Sequence, residues 1–459
     1  MQESGLGPPP ADDVQLEASA RTSLLPRWVV PVYGVGAAGW VIVDRTMLTW
    51  LYFFYVTTPL GGVDALLLPL TFSLVMLFGR VIDSVADPLI ARWSDNHDGP
   101  GGRRIPFLRL SALPYVVVFV ALFYPPVLER SGWNGVYVGL LLGTYFVLFT
   151  AYVSPHLALL ADISTTLKDR VDLSTSKAVG YLVGSAVGLI VSGLLVEAYG
   201  IRAMVWILGA VAVVLMYVPT LIPEIRFASA VPATMPLIEA VRTTLRNRPF
   251  VIAMVGTNAF WFGFNIVTLN IALYATRLMG RSEGDVALLM GAVFGTCLLV
   301  FPAANLMAKR RGLKAVMLAS LVLFASAFPL LYFLDAPPFG LPILPFGLAV
   351  MAIAGVALAG FFIVPDAIIA ATADLELGLS GQRREAMYYG VNGLIQKVNL
   401  GVSTVVSGAL FQFGGDPFGL KLTGPVAAVA VVVGLLIFLR YPEHEVEAQR
   451  AALRERADS

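Results

Sequence analysis

Twelve apolar runs dominate this chain, near residues 28–56, 63–93, 106–127, 133–161, 173–199, 201–223, 249–276, 283–308, 313–334, 341–367, 386–413 and 421–440. Each is long enough to cross a bilayer, which takes about 20 predominantly apolar residues as a helix. In hydrocarbon a backbone must satisfy its N–H and C=O groups within the segment, so runs of this kind fold as helices. Composition agrees: 58% of residues are hydrophobic, 13% are charged and the mean hydropathy is +0.79, against about 25% charged in an ordinary soluble domain. The expected fold is an all-α membrane protein of twelve transmembrane helices.

Basic residues give this map a direction. Of the 31 Lys and Arg, Arg45, Arg80 and Lys397 lie within runs; twenty-three of the rest fall on the side of the N-terminus and five on the other. By the positive-inside rule both termini are cytoplasmic, as an even number of crossings requires. The longest connection divides the chain. The expected units are an N-terminal tail (1–27), a six-helix bundle (28–223), a cytoplasmic linker (224–248), a second six-helix bundle (249–440) and a cytoplasmic tail (441–459). Both halves carry a helix that runs into a short basic loop, RWSDNHDGPGGRRIPFLR and NLMAKRRGLKA, the repeat expected of a major facilitator type. Glycine-rich segments within the runs, such as GVGAAG and GYLVGSAVG, read as seams where helices approach closely.

Several function classes drop out. A net charge of +1 with no basic block argues against nucleic acid. The single cysteine, Cys297, excludes an intrachain disulfide, and the scattered His97, His156 and His444 do not make a metal centre. The first 25 or so residues lack the apolar core of a signal peptide. No serine–histidine, paired-acid or metal motif of an intramembrane enzyme is present; a non-transporting membrane sensor stays as an alternative, although neither tail is long enough for the output domain such a protein normally carries.

The residues that stand out are Arg80, Asp83 and Asp87 in GRVIDSVADPLIARWSD. Spacings of three and four place them on one helical face, and a charge near the bilayer centre costs at least ~2.5–3.5 kcal/mol on insertion scales. One arginine does not neutralise two carboxylates, so the pair suits an exchangeable cation; a buried Arg–Asp structural pair is the alternative. Lys397, about eleven residues into its own run, either meets these acids or snorkels.

The stretches RVIDSVADPLIARWSD, GGRRIPFL, ALLADISTTLKDRVDL and DLELGLSGQRREAMYYGVNGLIQK together resemble the glycoside–pentoside–hexuronide:cation symporter family, to which melibiose permease belongs. The likeness extends over most of the chain. It implies alternating access, a coupling cation held by Asp83, Asp87 and Thr150, approach of Lys397 to those acids, and gating contacts at the cytoplasmic face from Asp95, Arg103, Arg104, Arg383 and Arg384. ALLADISTTLKDRVDL would be an interior loop. Ala86 stands where the family often has a polar ligand for sodium; sodium prefers several hard oxygens whereas a proton needs one basic atom, so a proton is the expected coupling ion. Ala37, Val153 and Ala178 replace the family's sugar-binding acids and arginine.

Other groups are available to a substrate. Asp44 lies seven residues beyond Ala37, on the same face and about 10 Å further along the helix, and is either a displaced polar anchor or the partner of Arg45 near the outer leaflet. Trp40 is a stacking platform or a filler. Asn258, Trp261 and Asn265 recur at helical spacing with Asn270, for hydroxyl-rich substrates or interhelical hydrogen bonds. His156 titrates near neutral pH or is a satisfied buried histidine. The chain thus reads as a monomeric, multi-pass, cation-coupled symporter of the cell (inner) membrane, for a sugar or glycoside. A lipid-like or amphipathic substrate is the alternative within the class. No cofactor is expected apart from the coupling cation, H+ or Na+.

Overall fold

The computed structural model describes residues 25–57, 65–97, 99, 101–164, 166–224, 244–365, 367–369 and 385–449. Residues 1–24, 225–243 and 450–459, in the tails and the linker, therefore lie outside the described residues, as do Arg383 and Arg384. Among the described residues the secondary structure is helical. In chain order the helices are α1 Val29–Val56, α2 Pro69–Asp95, α3 Ile105–Ala121, α4 Gly132–Ile163, α5 Leu167–Ala186, α6 Ser192–Tyr199, α7 Ile201–Tyr217, α8 Arg248–Leu273, α9 Asp285–Ala327, α10 Ile343–Phe361, α11 Glu385–Gly414 and α12 Phe418–Phe438.

Eight helical stretches among the described residues are long and apolar enough to cross a membrane by length and composition. The remaining apolar runs are helical too, and their differences have causes. α1 carries Asp44 and Arg45, α2 carries its charged face, and α3 has 17 residues. α9 has 43 residues because two helices join end to end at Gly312, whose φ of 86° breaks the helical path. A π turn over Val187–Val191 connects α5 to α6, where Gly188 lets Arg45 and the Ile42 carbonyl approach within what would be 2.8 and 3.0 Å of a Cβ.

Local chemistry sets the helix starts. Pro69 opens α2, so the apolar Leu66–Leu68 precedes the helix rather than beginning it. Asn247 caps α8 by accepting from the Phe250 N–H at 3.2 Å. Between α4 and α5 most of the expected interior loop is helical, α4 ending at Ile163 and α5 beginning at Leu167. Thr166 and Asp169 form a reciprocal capping box, at 3.1 and 3.0 Å, that starts α5 at Leu167, and α4 keeps its helix through Ile163. Sequence hydropathy marks where an apolar run stops, not where its helix ends, and here both helices run on past the apolar run.

The helices before residue 224 pack mainly on one another, α1 against α5 and α7, and α2 against α4. Those after 248 do likewise, α8 against α12 and α9 against α10. The two sets meet along α2 and α11, α1 and α8, and α6 and α9. Call the end with Val29, Asp95, Ile163 and Glu224 the near end and the opposite one the far end. At the far end the sets are locked. The Leu70 N–H donates to Gln412 Oε1 at 3.2 Å, and a Cβ on Gly408 of α11 would collide with Ser73 and stand 2.7 Å from the Pro69 carbonyl. Toward the near end α11 diverges. A Cβ on Gly390 or Gly393 would touch nothing within 4 Å, and a cavity of about 440 Å³ opens there between α2, α4 and α11.

The contrast predicts opposite responses to one methyl group. Gly408→Ala should lower the thermal midpoint of the purified protein, since overpacking a close contact costs about 1–3 kcal/mol. Gly390→Ala should leave the midpoint unchanged or raise it, because alanine is the better helix former. Equal midpoints for the two variants in a melting experiment would refute this account of the closed end.

Candidate functional site

α2 presents Arg80, Asp83 and Asp87 on one face, and α4 and α11 bring Thr150 and Lys397 to it. Asp83 is fully buried. One of its oxygens accepts from the Thr150 hydroxyl at 2.8 Å and from Lys397 Nζ at 2.8 Å, and the other accepts from Arg80 Nη1 at 3.2 Å. Asp87 Oδ1 lies 3.1 Å from Thr150 Oγ1 and Asp87 Oδ2 accepts from Lys397 Nζ at 2.6 Å. The Arg80 guanidinium also sits over the Phe146 ring, 4.2 Å from its centre, a cation–π contact that helps hold the charge out of water. The lysine is no snorkelling side chain: its head is held by both acids.

The charges balance at two against two, so each further positive charge unbalances the site. The ammonium lies between the two carboxylates and is bonded to one oxygen of each. Thr150 has one hydroxyl hydrogen and can donate to one carboxylate at a time. With Thr150 donating to Asp83, the 3.1 Å contact to Asp87 becomes a hydrogen bond once a proton resides on Asp87. Among the described residues no cluster of three or more His, Cys, Asp or Glu is placed to hold a metal ion.

At the near end Arg104 organises a second network. Its Nε donates to Asp162 at 2.9 Å, its Nη1 to Ser94 at 2.6 Å, and its Nη2 pairs with Asp95, while Arg103 pairs with the other oxygen of Asp162 at 3.2 Å. Burial disfavours the charge of Arg104, but the bonds to Asp162 and Asp95 outweigh it and hold the guanidinium above its ordinary pKa. Asp162, Ser94 and Glu224 were not among the residues singled out above. Glu224 is buried and accepts from the backbone N–H groups of Arg103, Arg104 and Ile105 at 2.9–3.0 Å, a carboxylate on a helix N-terminus. Glu443 does the same for Lys314 at 2.9 Å after the Gly312 break. The signal was in the sequence: Pro223-Glu224 and Pro442-Glu443 follow corresponding helices.

The remaining expected residues divide. Asp44 pairs with Arg45 at 3.7 Å, but at the middle of α1 rather than near an outer leaflet. Trp40 is buried and makes T-shaped contacts with Phe149 and Tyr181. His156 is fully buried, stacked on Tyr33 and bonded through Nε2 to its backbone oxygen at 3.1 Å, while its Nδ1 has no hydrogen-bond partner, so the ring is buried but only half satisfied. Asn258 Nδ2 donates to Met254 O at 2.9 Å, Trp261 packs among Phe260, Phe264 and Phe361, and Asn265 is half-buried. Asn270 makes the interhelical bond, 2.7 Å to Ser407. These four do not converge on the acids in this conformation.

The arrangement of helices around an intramembrane ion cluster is that of a transporter. The chain belongs to the MFS/sugar transport protein family, whose model matches residues 32–442. It is 19% identical to the uncharacterized symporter sll1374 of Synechocystis, over 89% of this chain and 93% of that one. It is 28% identical to the putative glycoside/cation symporter YagG of Escherichia coli, over 40% of each chain. Among solved structures, the nucleoside transporter NupG superposes with a TM-score of 0.66 at 12% identity, covering 91% of this chain and 99% of that one. A bacterial homolog of the lysosomal transporter Spinster, inward-facing and unoccupied, gives 0.60 at 12% identity over 93% and 97%. The protein is a multi-pass membrane transporter of the major facilitator type.

Lys397→Ala should strand two carboxylates in the helix interface, because removing one partner of a buried pair leaves uncompensated charge. The expected result is a lower melting midpoint, most of which returns when Asp87→Asn is added and the charges balance again. A double variant no more stable than Lys397→Ala alone would show that charge balance is not what holds the site.

Proposed function

We propose that this transporter is a proton-coupled symporter of a small hydroxylated solute, of the sugar or glycoside class, working as a monomer with twelve crossings in two six-helix halves. The carrying observation is the Lys397 ammonium bonded to both Asp83 and Asp87 across α2 and α11. Protonation of Asp87 releases one of the two bonds that tie α11 to α2 at mid-membrane, which links occupancy by the cation to separation of the halves. Asp83 stays with Arg80, so Asp87 is the group that exchanges protons. It borders the cavity, with 42% of its side chain exposed. The basic loops support a cytoplasmic near end, with both termini there and the chain in the inner membrane. On that orientation the structure is closed outside and open inside, with Asp95, Arg103 and Arg104 as interior gate residues.

Proton over sodium rests on the ligand set. Ala86 adds no oxygen between the acids, and Thr150 contributes one hydroxyl, so sodium would find few hard ligands. Relatives named as symporters, one of them a putative glycoside/cation symporter, support the solute class. A second reading, an amphipathic solute, is favoured by the apolar wall of the cavity at Phe149, Val153, Leu157 and Leu394.

In proteoliposomes, Asp87→Asn should abolish uphill uptake and retain counterflow exchange, and wild-type uptake should carry protons inward and ignore sodium at constant pH. Ala86→Asn should create sodium stimulation by adding one carbonyl oxygen. Uphill uptake by Asp87→Asn, or a strict sodium requirement in the wild type, would overturn the mechanism. Counterflow of glycosides against lysolipids decides between the two solute readings.

A further inference from the structure

At the closed far end three polar side chains meet across the seam between the helix sets, and neither the ion cluster nor the cavity uses them. Tyr52 belongs to α1, Asn270 to α8 and Ser407 to α11, and all three are fully buried. Asn270 Nδ2 donates to Ser407 Oγ at 2.7 Å and to the Ile266 carbonyl at 2.8 Å, both within the second set. Its carbonyl oxygen, Oδ1, has no hydrogen-bond partner. Across the seam the Tyr52 ring stands edge-on to Phe72 of the first set, 5.5 Å between centres. The Tyr52 hydroxyl lies within electrostatic reach of Ser407 and Tyr274, yet makes no hydrogen bond of ordinary geometry, and the Tyr274 hydroxyl is taken by Thr423 at 2.7 Å. Tyr55, one turn further along α1, shows the contrast: its hydroxyl donates to the Leu122 carbonyl at 2.8 Å, inside the first set. A donor of one set and an acceptor of the other are thus buried and unpaired where the sets press together, which is costly.

We infer that Tyr52 and Asn270 are positioning residues of a far-end gate: they keep the closed seam weak, so that the sets part there and water reaches both atoms. The inference rests on the alternating movement of the two sets in the symport reading, and on neither its coupling ion nor its solute class. An equilibrium between two states shifts only through interactions that differ between them. The Tyr52 hydroxyl and the Asn270 carbonyl are such groups, dry and unpaired while the far end is closed and hydrated once it opens. The fit of Gly408 against Ser73 and Pro69, and the bond from Leu70 to Gln412, pull the other way. Packing closes this end, and the unpaired polar atoms set how readily it reopens.

Spin labels on Leu128→Cys and Phe339→Cys, with the buried Cys297 replaced by serine, report the gate, because these exposed positions lie in far-end loops of opposite sets. Pulsed electron-resonance distances on the full chain in proteoliposomes, with no solute or gradient, should show a short and a long separation. Tyr52→Phe should raise the ratio of short to long about fivefold or more, as for relief of one unpaired buried polar atom. Asn270→Leu combined with Ser407→Ala, which removes the polar pair opposite, should shift the ratio the same way. Tyr52→Phe should also melt no lower than the wild type, which separates a biased gate from a failure to fold. Tyr55→Phe, which removes a satisfied hydroxyl from the same helix, should leave the ratio unchanged. An unchanged or reversed ratio in Tyr52→Phe or in the double variant, an equal shift in Tyr55→Phe, or a single separation in the wild type would overturn the inference. The expected gate response in a protein whose uptake carries no protons would instead sink the proton-symport reading and leave the gate standing.

Discussion

A single ammonium between two carboxylates ties the two helix sets together at mid-membrane. Lys397 belongs to α11 and Asp83 and Asp87 to α2, so a polar tie across the interface is made of ionisable groups. Everything around it protects that bond. Arg80 and Phe146 hold Asp83 from behind, Thr150 fixes the spacing of the acids, and the glycines of α11 let the far half of the helix press onto α2. Were the two sets joined by apolar packing alone, no ion could loosen them, since an ion shifts an equilibrium only through contacts that differ between the two states.

The near end is built on a different principle. There the ion pairs of Arg103 and Arg104 stay within one helix set, joining α2, α3 and α4, and Glu224 fastens the start of α3 to the end of α7. Glu443 repeats the arrangement in the second set at Lys314. These carboxylates stabilise each set as a rigid body, because a helix N-terminus with its N–H groups occupied resists fraying. Rigid sets with a switchable bond between them move as units. A cavity that closes at one end and opens at the other needs bodies of this kind.

The ion site and the Asp44–Arg45 pair adjoin α4, where Phe146, Phe149 and Thr150 occupy one turn. Tyr145 lies within electrostatic reach of Asp44, Arg80 and Asp83 together.

Hydropathy alone determined that the chain is helical and membrane-embedded, because a run of twenty apolar residues has few other ways to satisfy its backbone. Spacing alone put Arg80, Asp83 and Asp87 on one face, and an intramembrane lysine demanded an acid. What the sequence left open were choices between partners. Lys397 is 314 residues from Asp83, and only the folded packing of α11 on α2 decides that the two touch. The same holds for His156, which packing turned into a stacked core residue, and for Trp40, which packing buries against Phe149 and Tyr181 in T-shaped contacts. The loop between α4 and α5 was misjudged because a capping box extends helix where hydropathy stops. Glu224 was passed over because a carboxylate in a linker announces nothing until the helix N-terminus it caps is brought to it. Local periodicity is written in each segment, whereas burial and pairing belong to residues far apart in the chain, and only tertiary structure brings those together.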